Sequence, residues 1–212
     1  MARNIAVYSV DFNSNDQIKD PEFVDSDIDY HLITNRSHDL SVWKQHFVDD
    51  LPFSMRKSAR FYKIMGHPSL LSYDYLIWND ASLTIKSSLL PMVNFLKGDY
   101  GFFNHRHRSC IYDEAKACLQ LGKGNRKKII QQISLYLKEG MPKNFGLFET
   151  GGYIRKQNLT FWWDQIFTHS VRDQISLMYV LWRENIDPFV YDGSVTNNQF
   201  WFCTPHPQPK IF

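Results

Sequence analysis

The stretch YDYLIW (residues 73–78), which runs directly into NDAS (residues 79–82), indicates a buried strand that ends in a polar turn. A short continuous run of apolar side chains is typical of a strand covered on both faces. Two earlier stretches, IAVYSV (residues 5–10) and YHLIT (residues 30–34), show the same pattern and also end at polar residues. These strands, which alternate with helical segments, favour a doubly wound α/β sheet that is largely parallel.

Helices are predicted where apolar residues recur at helical spacing between plausible capping residues. They cover residues 54–66, 87–97, 111–121, 125–139 and 170–185, the last with Ser170 as its cap. Further short strands are predicted at residues 100–104, 145–148, 153–155 and 189–191, and residues 11–29 are predicted as a loop. We therefore expect one domain over residues 1–212, with residues 204–212 as a tail or linker.

The composition fits a folded domain and argues against strongly charged classes of protein. Apolar residues make up 43% of the chain and aromatic residues 16%, enough for a core without disulfides or a structural metal. The net charge of +2 is too small to indicate a nucleic-acid or membrane partner. Three cysteines without a CxxC pair indicate reduced thiols. With no signal peptide or long apolar span, we expect a cytoplasmic protein or one domain of a longer chain.

Asp80 is the first candidate ligand, because ligands of such sheets bind beyond the carboxyl ends of the strands. A carboxylate there can hold a divalent cation that bridges a diphosphate. Asn79 followed by Asp80 is also common turn chemistry, so a plain turn is the alternative. Arg56, Arg60 and Lys63 share one face of the preceding helix and suit a diphosphate or nucleotide, with a solvated basic stripe as the alternative.

Two later segments carry carboxylates. In ETGG (residues 149–152) the glycines would let the backbone approach a ligand closely, and the alternative is a hairpin turn with an incidental acid. Asp173 and Gln174 lie at the start of a predicted helix. Asp173 could point toward a sugar there, or it could simply complement the helix dipole.

Two basic segments are also candidates. His105 to Arg108 could bind phosphate or an anionic glycan, and alternating side chains on an edge strand are the alternative. In the tail, His206 could be a metal ligand and Lys210 a phosphate contact. The alternative for the tail is a proline-rich linker to a following domain.

Taken in order along the chain, several of these segments resemble retaining glycosyltransferases of the GT-A fold. They are the Asp80 turn, TGGYIR (residues 150–155), Asp173-Gln174, His206 and Lys210. The chain is similar to plant xyloglucan xylosyltransferase-type enzymes and to glycosyltransferase-like proteins of plant pollen and seed mucilage. It is also similar to the N-terminal domain of a chlorella-virus multidomain glycosyltransferase related to rhamnosyltransferases that build capsid glycans.

The resemblance implies a GT-A-like α/β domain with a central mixed, mostly parallel sheet flanked by helices. Residues 1–104 would form a Rossmann-like half that binds the nucleotide-sugar, and residues 105–203 the acceptor and catalytic half. The metal, Mn²⁺ or Mg²⁺, would be held by Asp80 and His206. Ser82 stands where the family usually has a second aspartate, which implies a weakly held cation.

The resemblance also implies roles for the remaining candidates. The catalytic residues would be Asp173, Gln174 and Glu149. The nucleotide-sugar would contact Arg60, Lys63, Asp80, Ala81, Ser82, Thr150, Gly151 and Lys210. The reaction would transfer a hexosyl or deoxyhexosyl group, such as rhamnosyl, from a UDP-sugar to an oligosaccharide or glycoprotein glycan with retention of configuration. Viral capsid glycan synthesis, in the host cytoplasm, is one setting that this implies.

Two other classes of function remain open at this point. One is a protein that binds or hydrolyses a nucleotide-sugar without a glycan acceptor. The other is a module that binds RNA or an anionic glycan through residues 105–108 and 123–128, with base stacking on aromatic side chains.

Overall fold

The computed structural model describes residues 3–12 and 18–203 and contains a seven-stranded sheet, packed on both faces, beside a two-stranded ribbon. The strands are β1 (Ile5–Asp11), β2 (Ile28–Thr34), β3 (Lys44–Phe47), β4 (Tyr75–Asn79), β5 (Leu83–Ile85), β6 (Tyr100–Asn104), β7 (Phe148–Arg155), β8 (Phe189–Tyr191) and β9 (Trp201–Cys203). The helices are α1 (Met55–Met65), α2 (Leu90–Phe95), α3 (Ile111–Gln120), α4 (Arg126–Lys138), α5 (Thr160–Thr168) and α6 (Asp173–Arg183). No helix among the described residues is long and apolar enough to cross a membrane.

The order of strands in the sheet is β3-β2-β1-β4-β7-β6-β8, and β5 pairs with β9 in the ribbon. All neighbours in the sheet are parallel except β7, which runs antiparallel to both β4 and β6. This arrangement confirms the predicted mixed, mostly parallel α/β fold flanked by helices. The reversal of β7 brings its first residues to the edge where the parallel strands end.

Alternate residues of the central strands pack into two apolar cores, one on each face of the sheet. On β1, Ala6, Tyr8 and Val10 belong to the core that includes residues of α1 and α3 to α6. Ile5 and Val7 belong to the core that includes residues of α2 and of the ribbon. Full burial of each such aliphatic side chain contributes roughly 1.5–3 kcal/mol. The faces of the sheet are therefore occupied by core packing, and polar side chains gather at the strand ends.

Four elements, β3, β5, α5 and β9, are not predicted from the sequence. β3 reads KQHF and is half-buried to exposed, so it shows no apolar alternation. β5 and β9 have three residues each and pair only with each other among the described strands. α5 begins without a side-chain cap, which removes the usual signal for a helix start.

β7 is one continuous strand, so the break predicted at residues 149–152 and the hairpin-turn alternative are both wrong. A Cβ atom on Gly152 would lie 2.9 Å from the ring of Trp201, and one on Gly151 would lie 3.2 Å from Val195. The two glycines therefore make room for neighbouring side chains within a strand.

Helix α6 begins at Asp173 and not at Ser170, because Arg172 occupies the N-cap position. The Ser170 hydroxyl donates instead to Gln132 Oε1 on α4, at 2.5 Å. The predicted cap is therefore a tertiary contact between α4 and the segment before α6. Asp173 keeps its predicted place in the first turn of the helix.

Three histidines meet near the β2–β3 edge of the sheet. His31 Nδ1 lies 2.8 Å from His46 Nε2, and His31 Nε2 lies 2.9 Å from the Tyr73 hydroxyl, which donates to Asp29 at 2.6 Å. The ring of His67 lies 5.1 Å from that of His46. Burial, and then the neighbouring His46, lower the pKa of His31 to about 4, against an opposing effect of Asp29.

Burial also lowers the pKa of both other imidazoles of this cluster. We therefore expect acid to destabilise the fold well before the carboxylates are protonated. Between pH 6.5 and pH 4 the unfolded chain binds protons at His31 that the folded chain does not, so stability falls as pH falls.

For His31 alone, the free energy of unfolding should drop by about 2 kcal/mol between pH 7 and pH 5. Urea unfolding at both pH values measures it. The variant His31→Gln keeps a polar side chain that does not titrate, and its stability should vary less with pH. Equal losses in the wild type and in His31→Gln would contradict this assignment.

Candidate active site

One edge of the sheet collects the ends of the parallel strands and the start of β7. Asp11 ends β1, Asn79 ends β4 and is followed by Asp80, and Glu149 lies at the start of β7. The amino end of α6, which carries Asp173, is bonded to this same region. This is the edge at which open α/β sheets bind their ligands.

The central contact of the site is an ion pair between Lys63 on α1 and Asp173 at the start of α6. Lys63 Nζ lies 2.6 Å from Asp173 Oδ2, and both side chains are almost fully buried. Lys63 Nζ also donates to the backbone oxygen of Thr150 on β7, at 2.6 Å. Arg60, one turn earlier on α1, places its Nε 3.3 Å from the same oxygen of Asp173.

The charges of this cluster keep Asp173 ionised. Burial alone would raise the pKa of Asp173, but Arg60, Lys63 and Arg172 together hold it far below its usual range. Burial lowers the pKa of Lys63, while Asp173 acts in the opposite direction. Arg56 also interacts with Arg60, Arg172 and Asp173, so four cations lie around Asp173. Arg172 is shared with a second carboxylate, since its Nη2 lies 3.6 Å from Glu114 Oε1. The site therefore keeps an excess of positive charge.

The cations also have unused hydrogen-bonding capacity. Within the described residues, Nε of Arg60 and Nε of Arg172 are buried and make no hydrogen bond, although Arg60 Nε lies 3.3 Å from Asp173 Oδ2 in an ion pair of poor hydrogen-bond geometry. A buried donor without an acceptor costs free energy, and a phosphate oxygen is a favourable acceptor for a guanidinium group.

Asp80 and Ser82 form a turn between β4 and β5. The Ser82 hydroxyl donates to Asp80 Oδ1 at 3.1 Å, and the Asp80 N–H donates to the Gly151 oxygen at 2.8 Å. Ala81 is buried in the core that includes α2. The backbone here does form the turn that was the alternative to a metal ligand at Asp80. This turn lies against β7, beside the Lys63–Asp173 pair.

The donors at this turn fit a cation that a diphosphate would share. Asp80 supplies one carboxylate and Ser82 a hydroxyl. Asn79 supplies a buried Oδ1 atom that has no hydrogen-bond partner among residues 3–12 and 18–203. The described residues hold no group of three His, Cys, Asp or Glu side chains that could bind a metal ion. Mg²⁺ is commonly held by one or two carboxylates together with phosphate oxygens, which is the arrangement that Asp80 could support.

The other predicted catalytic residues, Glu149 and Gln174, lie close to this cluster. Glu149 accepts from the N–H of Arg106 at 3.3 Å and from the N–H of Val195 at 2.5 Å. Gln174 Nε2 lies 3.4 Å from the Phe148 oxygen, a long contact that leaves its amide available to a ligand. Glu149 therefore connects β7 to two neighbouring loops.

The basic segment from His105 to Arg108 forms a turn after β6, so the edge-strand alternative is wrong. His105 Nδ1 accepts from the N–H groups of His107 and Arg108, both at 3.1 Å. Arg108 Nε donates at 2.7 Å to Glu114, which is buried on α3. This segment is largely engaged in contacts within the protein.

Sequence reasoning missed a second polar group, at the ends of β1 and β2. Asp11 is fully buried, and its Oδ2 lies 2.8 Å from Arg36 Nη2 and 3.4 Å from His38 Nε2. His38 Nε2 is also 3.0 Å from the Thr34 hydroxyl. The sequence does carry a signal for Asp11, because this carboxylate directly follows the apolar run of residues 5–10. The same kind of signal identified Asp80.

Two predicted residues, His206 and Lys210, lie outside the described residues. The last described residue, Cys203, pairs with Leu83, which follows the Asp80 turn directly. The described part of the chain therefore ends close to the predicted metal ligand Asp80.

Comparisons with known proteins place the chain among glycosyltransferase-like domains. The profile of the family described as "TOD1/MUCI70, glycosyltransferase-like domain" matches residues 22–204. No curated protein sequence matches the chain. Among solved structures, the apo crystal structure of mouse xyloside xylosyltransferase 1 aligns with 88% of this chain and 84% of that chain, at 12% identity and a TM-score of 0.48.

Removing one partner of the buried pair should destabilise the fold. We expect Lys63→Met to lower the free energy of unfolding by about 3–5 kcal/mol, because Asp173 loses its shortest ionic contact. Urea unfolding at pH 7 measures the effect. Lys127→Met on the exposed surface of α4 is the control and should stay within about 0.5 kcal/mol of the wild type. An unchanged midpoint for Lys63→Met would show that the pair does not stabilise the fold.

Proposed function

The chain belongs to the TOD1/MUCI70 family of glycosyltransferase-like domains, and from this premise we propose that it transfers a sugar from a UDP-sugar to a hydroxyl group of a glycan. We further propose that the transferred sugar is a hexose or deoxyhexose and that its anomeric configuration is retained. The acceptor in this proposal is an oligosaccharide or a glycoprotein glycan. A cytoplasmic location is part of the proposal and rests on the cysteine pattern of the sequence alone.

One observation carries the proposal. Lys63 bonds to both Asp173 and Thr150, and Gly151 bonds to Asp80, so segments from distant parts of the chain meet at one edge of the sheet. These residues include most of those that the resemblance to retaining glycosyltransferases singled out. The excess of cations around them suits a diphosphate.

In the proposed reaction, the guanidinium groups of Arg56 and Arg60 face the donor diphosphate and stabilise the charge that develops on it as it leaves. A divalent cation at Asp80, when bound, would neutralise further charge on the same diphosphate. Arg36 and His38, which the buried Asp11 holds at the neighbouring strand ends, would contact the nucleoside. Arg172 would complete the positive wall on the side of α6.

Asp173 is buried and paired with Lys63 and Arg60, so in this proposal it holds those two cations in place beside the donor. The acceptor hydroxyl attacks from the face that the diphosphate leaves and passes its proton to the departing diphosphate oxygen. The configuration is thereby retained without a covalent intermediate. Gln174 would orient the sugar through its amide, which makes one long contact among the described residues, to the Phe148 oxygen. Glu149 would hold the loops that border the acceptor.

The rival functions differ in what they require. A nucleotide-sugar hydrolase would use the same diphosphate site but would release UDP at one rate with or without a glycan. An RNA-binding or anionic-glycan-binding module would need the basic residues after β6, and Arg108 is instead engaged with Glu114. The geometry therefore favours glycosyl transfer over the binding module.

We expect UDP with Mn²⁺ to raise the melting temperature by roughly 5–10 °C at about 100 times its Kd, which corresponds to about 2.7 kcal/mol. Thermal unfolding with UDP alone and with UDP plus Mn²⁺ separates the two contributions. Asp80→Ala should remove the part that depends on Mn²⁺. Asp187→Ala, a change in an exposed loop, is the control and should keep the full shift. No shift with UDP under any condition would overturn the proposed donor site.

Gln174→Ala should lower the rate of sugar transfer by about 100-fold, because it removes a polar contact that acts at the reacting centre. The melting temperature should stay close to that of the wild type, since the one hydrogen bond of this side chain within the described part of the structure is long. Release of UDP with and without acceptor gives the rates. Gln131→Ala on the exposed side of α4 is the matched control. Full activity in Gln174→Ala would exclude this role.

A further inference from the structure

A pocket of about 610 Å³ lies outside the cluster of charged residues, against the edge strand β8. Its walls are the end of α2, the strand β8 and the segment of residues 198–200. The hydroxyl of Tyr191 on β8 donates to the Met92 oxygen of α2 at 2.5 Å, which fixes two of these walls relative to each other. The volume falls within the range of about 300–1,000 Å³ that is typical of small-molecule sites.

The walls of the pocket combine aromatic side chains with polar ones in equal number, and Val190 completes the lining. Phe189 and Tyr191 pack edge to face with ring centroids 4.9 Å apart, and Phe95 at the end of α2 is 60% exposed. Lys97 and Asp192 contribute one charge of each sign, so the pocket has no net charge from its lining. A sugar ring has an apolar C–H face and a rim of hydroxyl groups, which matches walls that combine aromatic and polar side chains.

The loop of residues 192–200 joins this pocket to the candidate active site. At its centre, the N–H of Val195 donates to Glu149 Oε2 at 2.5 Å. At its end, Asn198 Oδ1 accepts from the N–H groups of Phe200 and Trp201, at 2.6 and 2.9 Å. Asn198 Nδ2 donates to two backbone oxygens of the same loop. The wall of the pocket and the contact to Glu149 are thus parts of one tightly bonded loop.

Gly193 supports the rigidity of this loop. Its φ is +86°, a conformation that L side chains rarely adopt, and a Cβ atom there would lie 2.4 Å from the Asn197 oxygen. The N–H groups of Ser194 and Asn197 each donate to the other residue's oxygen. A ligand in the pocket would therefore meet a preformed surface and not a loop that must first become ordered.

We propose that this pocket is a subsite for a neutral glycan, which it binds through sugar units remote from the hydroxyl that accepts the transferred sugar. The role of this subsite in sugar transfer rests on the proposed function, whereas its binding of a glycan does not. Because these units do not change during the reaction, they stabilise the ground state and the transition state equally. The subsite therefore lowers KM for long acceptors and leaves kcat unchanged.

Binding without any donor is the first test. The probes are β-1,4-linked xylo-, cello- and manno-oligosaccharides of two to six units, measured by isothermal titration calorimetry with the full chain. Phe95→Ala should weaken binding of the best probe at least 10-fold. Phe47→Ala on β3 is the matched control, since Phe47 is 58% exposed and lies at the opposite edge of the sheet, and it should bind as the wild type does. Thermal unfolding checks that both variants are folded.

Two results of this test would overturn the proposal. One is that no probe binds at millimolar concentration, which would leave the pocket to another class of partner. The other is that a probe binds and Phe95→Ala binds it as tightly as the wild type does.

Kinetics then separate the subsite from the proposed function. With the donor present, Phe95→Ala should raise KM for the longest bound probe about 10-fold, leave kcat unchanged, and leave UDP release without acceptor unchanged. Binding that depends on Phe95 in a protein without transferase activity would refute the proposed function and keep the subsite. Transfer activity with equal KM values for both proteins would keep the proposed function and refute the subsite.

Discussion

The ion pair between Lys63 and Asp173 is the constraint on which the site depends. It joins α1 to α6, and the second bond of Lys63, to the Thr150 oxygen, joins both helices to β7. Burying two charges costs desolvation free energy that their attraction barely offsets, but losing one partner is much worse. Once formed, the pair holds each of these elements in place, and Arg60 and Gln174 are positioned as its neighbours. The packing of α1 and α6 on β7 and the arrangement of the charged residues therefore both depend on this one ion pair.

Most of the fold could be predicted because its main elements carry their own local signal. The apolar runs of β1, β2 and β4 and the periodicity of α1, α3, α4 and α6 do not need the rest of the chain to be recognised. The strands β3, β5 and β9 could not be found this way, because they are short and exist through pairing with distant partners. In β7, glycine is a strong signal for a turn, and only the position of Trp201 explains why two glycines stay in a strand.

The sequence marks polar residues that the structure brings close together, but it does not show the contacts between them. Asp80, Lys63 and Asp173 were all marked by their position after a strand or on a helix, and the structure brings their segments together. Sequence could not show that Lys63 would be buried against Asp173, since burial depends on how α1 and α6 pack. It also could not show that Asp11 would be joined by Arg36 and His38, because two loops of unknown path separate them.

The separation of Lys63 and Asp173 along the chain, 110 residues, affects how the protein acquires its site. Contacts between distant residues form late in folding, because closing so long a loop costs entropy that only later contacts recover. During synthesis, β1 to β4 leave the ribosome long before α6 does. Lys63 therefore has no Asp173 to pair with until α6 has been made. The charged cluster around Lys63 and Asp173 is consequently assembled only when nearly the whole domain has been made.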